Sequence, residues 1–449
     1  MMNDDRLQQQ LMLKTARFNQ KGVDIEIFKA MINQATNTGG FVDYSEAYDF
    51  AEGISNVIDN IEELLKEGFA NEVIELTEYA MIRIEEALGE MDDSDGYMSD
   101  MLDRLEEIHY KACKKAAPDP ETLARCLFTW EINTNWDTFY GAVDTYADVL
   151  GDKGLAVYRK LAEAEWSKLP ELEPGQTEGR YFSERHRLNS IMETLAVLDN
   201  DTEALVAVKK KDLSYAYHFL EIAQIYKDAE DKEKALEWAE RGLKAFPKNT
   251  DSRLREFLAD EYHSRKRHDE AMQLIWLNFI EHPGLENYKS LKQHAERVIE
   301  WSKWRQESLE YIRSAAAGEQ KSKTSAQLYR NESWYNSMLV RIFLWEKDIE
   351  SAWLEAKKGG CHNDLWMELA RLREKSHPED AIEIYKNQVV SLVQRTNNQA
   401  YREAIILIKN IRKLMNSLKK VEEFSVYVSF LKSNYKPKRN FMKLLDKLR

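Results

Sequence analysis

The stretch from Ser214 to Pro283 writes one helical pair twice, and this repetition limits the possible folds more than any other feature of the chain. In the first copy, Phe219, Ile222 and Tyr226 share a helical face with the small residue Ala223; a second amphipathic run carries Ala235 and stops at Pro247. The second copy repeats this order at Leu258, Ala259, Tyr262, Ala271 and Pro283. Tyr226 to Tyr262, Ala235 to Ala271 and Pro247 to Pro283 are each 36 residues apart, close to the ~34 residues of a tetratricopeptide unit.

The physics of paired helices accounts for the spelling. Ala223 facing Ala235, and Ala259 facing Ala271, let the two helices of a pair approach closely. Large side chains one turn away fill the space beside that contact. Proline ends the second helix because it has no N–H to donate and clashes with the preceding turn. A single pair cannot bury its own apolar face, so pairs must stack. The expected fold is therefore all-α: an N-terminal helical-hairpin domain over 1–169, a linker or long loop over 170–182, and a TPR-like helical array over 183–449 closed by a basic C-terminal cap.

Composition agrees with helices. The 449 residues hold only 17 Gly and 8 Pro, too few for a turn-rich β architecture. MMNDDRLQQQ opens acidic and polar, unlike a secretory signal, and no apolar run approaches the ~18 residues that would suggest a membrane span. The three cysteines, Cys113, Cys126 and Cys361, are far apart and odd in number, which fits small core residues better than disulfides or metal ligands. The expected location is the cytoplasm. A net charge of −14 argues against general nucleic-acid binding. That charge is uneven: Phe41 to Tyr110 holds 21 acidic and 3 basic residues, whereas Tyr401 to Arg449 holds 13 basic and 4 acidic.

Along the chain, residues 3–35 read as two short helices. A long helix follows Asp43, with Ile54, Ile58, Ile61 and Leu65 on one face and Gly68 placed to end it. Two partners complete this region. The DDSDG turn sets Asp93, Asp95 and Gly96 at the third, fifth and sixth places of a calcium loop, but Met91 and Leu102 stand at the first and twelfth, so it reads as the acidic start of a helix. Pro170 to Gly179 is the clearest composition break. After the two clear repeats comes a degenerate third, with Ala295 one period beyond Ala259. The polar stretch 315–327 reads as a loop, and repeats resume at Leu339, Val340, Phe343, Ala352 and Ala356.

Five segments together bring a family to mind: GFVDYSEAYDFAEGI, DDSDGYMSDMLDRLEEIH, WDTFYGAVDTYADVLGDKGLAVYRKLAEAEW, FLADEYHSRKRHDEAMQLIW and EEFSVYVSFLKSNYKPKRNFMKLLDKL. They resemble the helical C-terminal region of bacterial SWIM zinc-finger proteins. That resemblance implies zinc and DNA-binding roles for the finger. The finger needs a C-x-C pair followed by C-x-H; this chain has no C-x-C, and Cys361 and His362 are adjacent, so no ligand carries over. Either the finger lies on a separate chain or it has been lost.

No catalytic signature is present: H-E-x-x-H, the P-loop, the dinucleotide fingerprint and G-x-S-x-G are all missing. No catalytic, metal or cofactor residue is therefore expected. Two candidate docking points remain. Arg265, Lys266, Arg267 and His268 form a cationic turn between the helices of the second repeat, and Lys436, Lys438 and Arg439 head a basic tail that suits a solenoid cap or a phosphate contact. The expected function is a non-catalytic scaffold that holds a protein or peptide in the groove lined by the first helix of each pair, as a subunit of a larger complex that the resemblance makes bacterial. The alternative is a nucleic-acid-associated accessory protein using the basic C-terminus. Pairing of the acidic N-terminal and basic C-terminal regions would give a homo-oligomer.

Overall fold

A computed structural model describes residues 23–177, 182–248, 250–322 and 334–448. The first of the two short helices expected near the N-terminus lies outside them. Among the described residues there are 22 helices and no strand, only two isolated bridges, Val42 with Met91 and Leu172 with Asp212. The fold class is all-α, a helical domain followed by TPR-like hairpins. No described helix is long and apolar enough to cross a membrane. The chain divides into two compact units, Met1–Leu254 and Arg255–Arg449.

In the first unit, α1 (Ile25–Ala35), α2 (Tyr44–Glu67), α3 (Ala70–Leu88) and α4 (Tyr97–Ala116) bury one apolar stripe each. The stripe predicted for α2 is the buried one: Ile54, Ile58, Ile61 and Leu65 all face the core. Gly68 closes α2 at φ 100°, a left-handed cap that glycine adopts without strain. Next come α5 (Pro120–Asn133), the single turn α6 (Ala142–Thr145), α7 (Ala147–Trp166) and α8 (Phe182–Leu198). One hydrophobic core runs from Phe28 to Leu195, so α8 packs with the N-terminal helices although it follows the proline-rich break. That break is strapped down. Leu172 donates to the Lys211 carbonyl at 3.0 Å and accepts from Leu213 at 2.8 Å, while buried Arg185 donates to the Pro170 carbonyl at 2.7 Å. The unit continues with α9 (Thr202–Lys210), α10 (Ala216–Asp228) and α11 (Lys232–Ala245).

The second unit begins within α12 (Ser252–Ser264) and runs through α13 (His268–Glu281), α14 (Leu285–Arg297), α15 (Trp301–Ser322), α16 (Trp334–Trp345) and α17 (Ile349–Gly359). It ends with α18 (Asn363–Arg373), α19 (Pro378–Gln394), α20 (Asn398–Ser417), α21 (Val421–Asn434) and α22 (Arg439–Leu445). Phe441 and Leu445 of α22 are buried against α20 and Tyr435, so the basic tail includes a packed helix.

One turn recurs between paired helices. A non-glycine residue takes a left-handed φ near 60°, and the next N–H donates back to the carbonyl five residues earlier: Asp201 to Ala196, Asp231 to Tyr226, Arg267 to Tyr262, Glu300 to Ala295, Asp348 to Phe343 and Lys420 to Met415, all at 2.8–3.0 Å. This is the six-to-one bond that satisfies an orphan carbonyl at a helix end. In three of the six the same residue then caps the second helix, Asp201, Asp231 and Asp348 each accepting from an N–H three residues on. Tyr226 and Tyr262 thus occupy equivalent places. Both are buried, and both rings lie under a cation, Lys234 at 4.9 Å and Arg267 at 3.9 Å.

The small-residue positions Ala223, Ala235, Ala259 and Ala271 are fully buried, as are Ile222 and Leu258, with Phe219 nearly so. Pro247 and Pro283 each stand one residue beyond the helix cap, at Phe246 and His282. At Gly242 the backbone of α11 comes so near α10 that an added Cβ would sit 2.6 Å from Phe219 Cβ.

Two expectations are corrected. The third repeat has its turn at Ile299, three residues earlier than the period sets it, so Ala295 holds the carbonyl position of Tyr226 and Tyr262 rather than the packing position of Ala259. Trp304 then stands where Ala235, Ala271 and Ala352 stand in other pairs, four residues past the start of the helix turn, and packs on Trp276 at 5.6 Å. The polar stretch 315–327 is not a loop over its described part: α15 continues to Ser322, carried by the helix-favouring run Ala315–Ala317, of which Ala316 is buried.

Two substitutions should move stability in opposite directions. Gly242→Ala forces Phe219 or the α10 backbone aside and should destabilise by about 1 kcal/mol or more, despite the better helix propensity of alanine. Ile299 is β-branched, left-handed and 94% exposed, so Ile299→Asn should stabilise by about 1 kcal/mol. Chemical denaturation of the two variants against wild type checks both signs.

Candidate functional site

Within the first unit, α8 and α10 are the first helices of successive pairs, and a groove runs beside them. On α10 one stripe, Phe219, Ile222, Ala223 and Tyr226, is spent on packing. The neighbouring stripe, Tyr217, Leu220, Glu221, Gln224, Ile225 and Asp228, follows the same helical spacing but lines the groove. From α8 come Glu193, Thr194 and Val197, and from α9 Leu205 and Lys209. The cavity measures about 680 Å³. Val197 is 63% exposed although Leu195 and Ala196 beside it are buried.

A polar pocket of about 410 Å³ adjoins the groove and shares Glu193, Lys209, Tyr217 and Glu221 with it. Lys209 Nζ lies 2.9 Å from Glu193 Oε1 and 3.3 Å from Glu221 Oε1, bridging α8, α9 and α10. Burial works against its charge, but the two carboxylates outweigh burial and raise its pKa. At the pocket floor, His218 Nδ1 is 3.2 Å from Asp212 Oδ1. Burial opposes both charges there as well, yet Asp212 raises the His218 pKa, and His218 with Ser214 holds the Asp212 carboxyl below its usual range. Tyr140 stacks on His186 at 6.0 Å on the pocket wall. The groove thus combines apolar side chains with charges already fixed in place.

The cationic turn expected to dock a partner is largely engaged internally. Arg265 is paired with Glu261 at 2.5 Å, and Arg267 with Glu270 at 2.7 Å while stacking on Tyr262. Lys266 is the left-handed turn residue and is exposed. His268 Nδ1 meets His263 Nδ1 at 2.8 Å, and the His263 ring stacks on His294 at 5.2 Å. Among the described residues, the buried ring nitrogens His263 Nε2 and His294 Nδ1 have no hydrogen-bond partner. At the C-terminus, Lys436 and Arg439 are exposed and Lys438 caps α22 half-buried. These two basic groups belong to the second unit and the groove to the first.

Elsewhere in the first unit, His109 Nδ1 meets the Tyr146 hydroxyl at 2.7 Å, with Cys113 Sγ at 3.8 Å and Glu78 Oε1 3.4 Å from Nε2. Burial pushes both Cys113 and Cys126 up to about 12, so they stay thiols at neutral pH. Among the described residues no group of three histidine, cysteine or acidic side chains is arranged to hold a metal ion.

The groove residues were not singled out in the sequence. The available signal was the second stripe on α10: apolar Leu220 and Ile225 lie off the face that Phe219, Ile222 and Tyr226 define.

The histidine cluster makes the second unit acid-sensitive. Burial first, then Arg297, drives the His294 pKa down to about 4, and burial also lowers that of His263. Below the ordinary histidine value the unfolded chain takes up protons that the folded one refuses, so stability should fall as pH drops from about 6.5 towards 4. His294→Leu should flatten that part of the profile, measured as thermal midpoint against pH.

A family model described as a family of unknown function (DUF6880) matches residues 3–444. A protein of Bacillus subtilis (strain 168) described as Uncharacterized protein YwqB is 28% identical over 106 residues, 23% of this chain and 20% of that protein. The chain thus matches about a fifth of the length of that curated relative. Among solved structures, yeast Tom70 is similar at 12% identity and a TM-score of 0.25, covering 94% of this chain and 95% of its own. The TPR domain of P58(IPK) is similar at 13% identity and a TM-score of 0.19, with 88% and 99% covered. Human IFIT1, a dimer with PPP-AAAA, is similar at 13% identity and a TM-score of 0.22, with 89% and 98% covered. The fold class rests on the helices of this chain and not on these superpositions.

Proposed function

The chain belongs to the DUF6880 family, and we propose that it is a non-catalytic interaction scaffold that holds a polypeptide segment in the groove beside α8 and α10. The observation that supports this most is the pair of stripes on α10. One is consumed by the hairpin, and the other presents Leu220 and Ile225 beside exposed Val197 in a cavity of about 680 Å³. Apolar side chains left in water beside fixed charges favour an apolar-faced segment with polar flanks. The thiols of Cys113 and Cys126, held protonated by burial, are poor nucleophiles, which supports the non-catalytic part. Within this proposal a bacterial SWIM zinc-finger chain is one candidate partner, on the strength of the five segments quoted above.

Affinity purification from the native host tests the reading. A Val197→Asp/Tyr217→Lys variant, both changes at exposed positions lining the groove, should lose its specific co-purifying proteins at least tenfold by quantitative mass spectrometry while melting like wild type. An unchanged set of partners overturns the groove.

A second reading is supported by exposed Lys436 and Arg439, which stand at the start of α22 with no carboxylate in ion-pair range among the described residues. If the basic C-terminus contacts nucleic acid, salt-titrated binding to DNA or RNA should weaken in a Lys436→Ala/Lys438→Ala/Arg439→Ala variant, with a shallower salt slope. Absent or unaltered binding removes that reading.

A further inference from the structure

Two faces of the chain leave apolar side chains in water, and their charges are opposite. The first lies at the start of α2 in the first unit. Phe41, Tyr44 and Tyr48 are each more than half exposed, Tyr44 and Tyr48 stand one helical turn apart, and Tyr48 meets Tyr97 edge-on at 5.7 Å. Asp95 accepts from the Tyr97 hydroxyl at 3.3 Å and, by a hydrogen bond, holds the Tyr44 hydroxyl above its usual pKa. Asp49 and Asp95 are exposed and have no ion-pair partner among the described residues. Phe41 also lines a cavity of about 660 Å³ whose wall includes Asp93 and Thr138 and no lysine, arginine or histidine. The lysines and arginines from Phe41 to Tyr110 are Lys66, Arg83 and Arg104, each already paired with carboxylates of the same stretch.

The second face lies on α20 in the second unit. This helix buries Ala404, Ile408, Ile411 and Met415, and on its far side the stripe Arg402, Ile406, Lys409 and Lys413 is exposed along its length. Ile406 is more than half exposed between cations. Arg402, Lys409 and Lys413 have no carboxylate in ion-pair range among the described residues. Asn440 of α22 donates to Asn398 Oδ1 at 2.9 Å, which sets exposed Arg439 at the same end of α20 as Arg402. Packed on α20 in the same core, α21 leaves Val426 and Phe430 more than half exposed.

Exposed aromatic rings edged by carboxylates fit long cationic side chains, whose methylene stems lie on the rings while their charges reach the carboxylates. The α20 stripe offers these at a matching interval, since Tyr44 and Tyr48 on one helix and the stripe on the other both repeat at one turn, about 5.4 Å. Like charge bars either face from pairing with its own duplicate, so two copies meet through unlike faces. We propose that the α2 face of one copy docks on the α20 face of a second copy of this chain, covering Tyr44 and Tyr48 with the α20 stems while Asp49 and Asp95 meet their charges. The contact is heterologous. Every pair keeps one unused face of each kind, so assembly continues with concentration into rings or chains. Its charges lie at the surface, so it weakens with salt.

Sedimentation velocity on the full chain tests this, over about 1 to 100 µM and at about 50 and 500 mM salt. The weight-average mass should climb with concentration at the lower salt and return to that of one chain at the higher. Tyr44→Gln/Tyr48→Gln disables the α2 face, and Ile406→Gln/Lys409→Gln/Lys413→Gln disables the α20 face. Both change exposed side chains to a good helix former and should melt like wild type. Alone, each should self-associate at least tenfold more weakly, and Asp49→Lys, a second way to disable the α2 face, should act alike. Mixed in equal amounts, the two multiple variants should form a pair and stop there, because the pair joins the one intact face that each retains and leaves a disabled face at either end. The proposal is overturned if wild type stays monomeric at the lower salt, if the α2-face variants alone still associate, which would mean that the basic region pairs with itself, or if the mixture yields no pair.

Discussion

The left-handed turn between paired helices is the constraint on which the rest depends. Six times in the described chain a residue at φ near 60° lets the next N–H reach back to the carbonyl five residues earlier, at 2.8–3.0 Å. That bond ends one helix and starts the next across only three residues, which fixes the angle at which the two can pack. Only then can Ala223 meet Ala235, and only with that contact made does α10 have a second face free for another purpose. In five of the six turns the left-handed residue is polar, namely Asn200, Glu230, Lys266, Lys347 and Lys419, and short connections of this kind leave little slack for the helices to shift. Ile299 is the exception, and the pair it joins is also the one that places Trp304 at a small-residue position.

Much of the architecture was legible because it is local. Ala223, Tyr226, Ala235 and their counterparts 36 residues on are written by helical spacing, and helical spacing survives into the folded state. The stripe of α2 and its closing Gly68 are legible for the same reason. The shift in the third pair was not. A period measured on side-chain identity follows Ala259 to Ala295, whereas the turn is set by backbone hydrogen bonds that any residue can make, so a connection between α13 and α14 shortened by three residues leaves little trace in composition. The helical run through Ala315–Ala317 was obscured by polar neighbours whose chemistry suits exposed helix as well as loop.

The two cavities were illegible for another reason. Each is assembled from segments far apart in the chain: Glu193, Lys209 and Glu221 come from three helices, and Thr138 lines a cavity with Asp93 on a loop that Arg187 of α8 holds through the Trp136 carbonyl. Acidic residues are so common in this chain that no single one stands out in sequence. The cationic turn at Arg265–His268 shows the converse. It stands out in sequence, yet Glu261, Glu270 and Tyr262 answer most of its charge.

The near-contact of α10 and α11 at Gly242 carries a further meaning. With Phe219 Cβ occupying the place where a side chain on α11 would begin, the hairpin behind the groove has no room to compress, and Lys209 ties its mouth to α8. A wall this stiff cannot mould itself around a guest. On the proposed function, the loss of freedom on association falls mostly on the incoming chain, and segments already ordered before they arrive should be held longest.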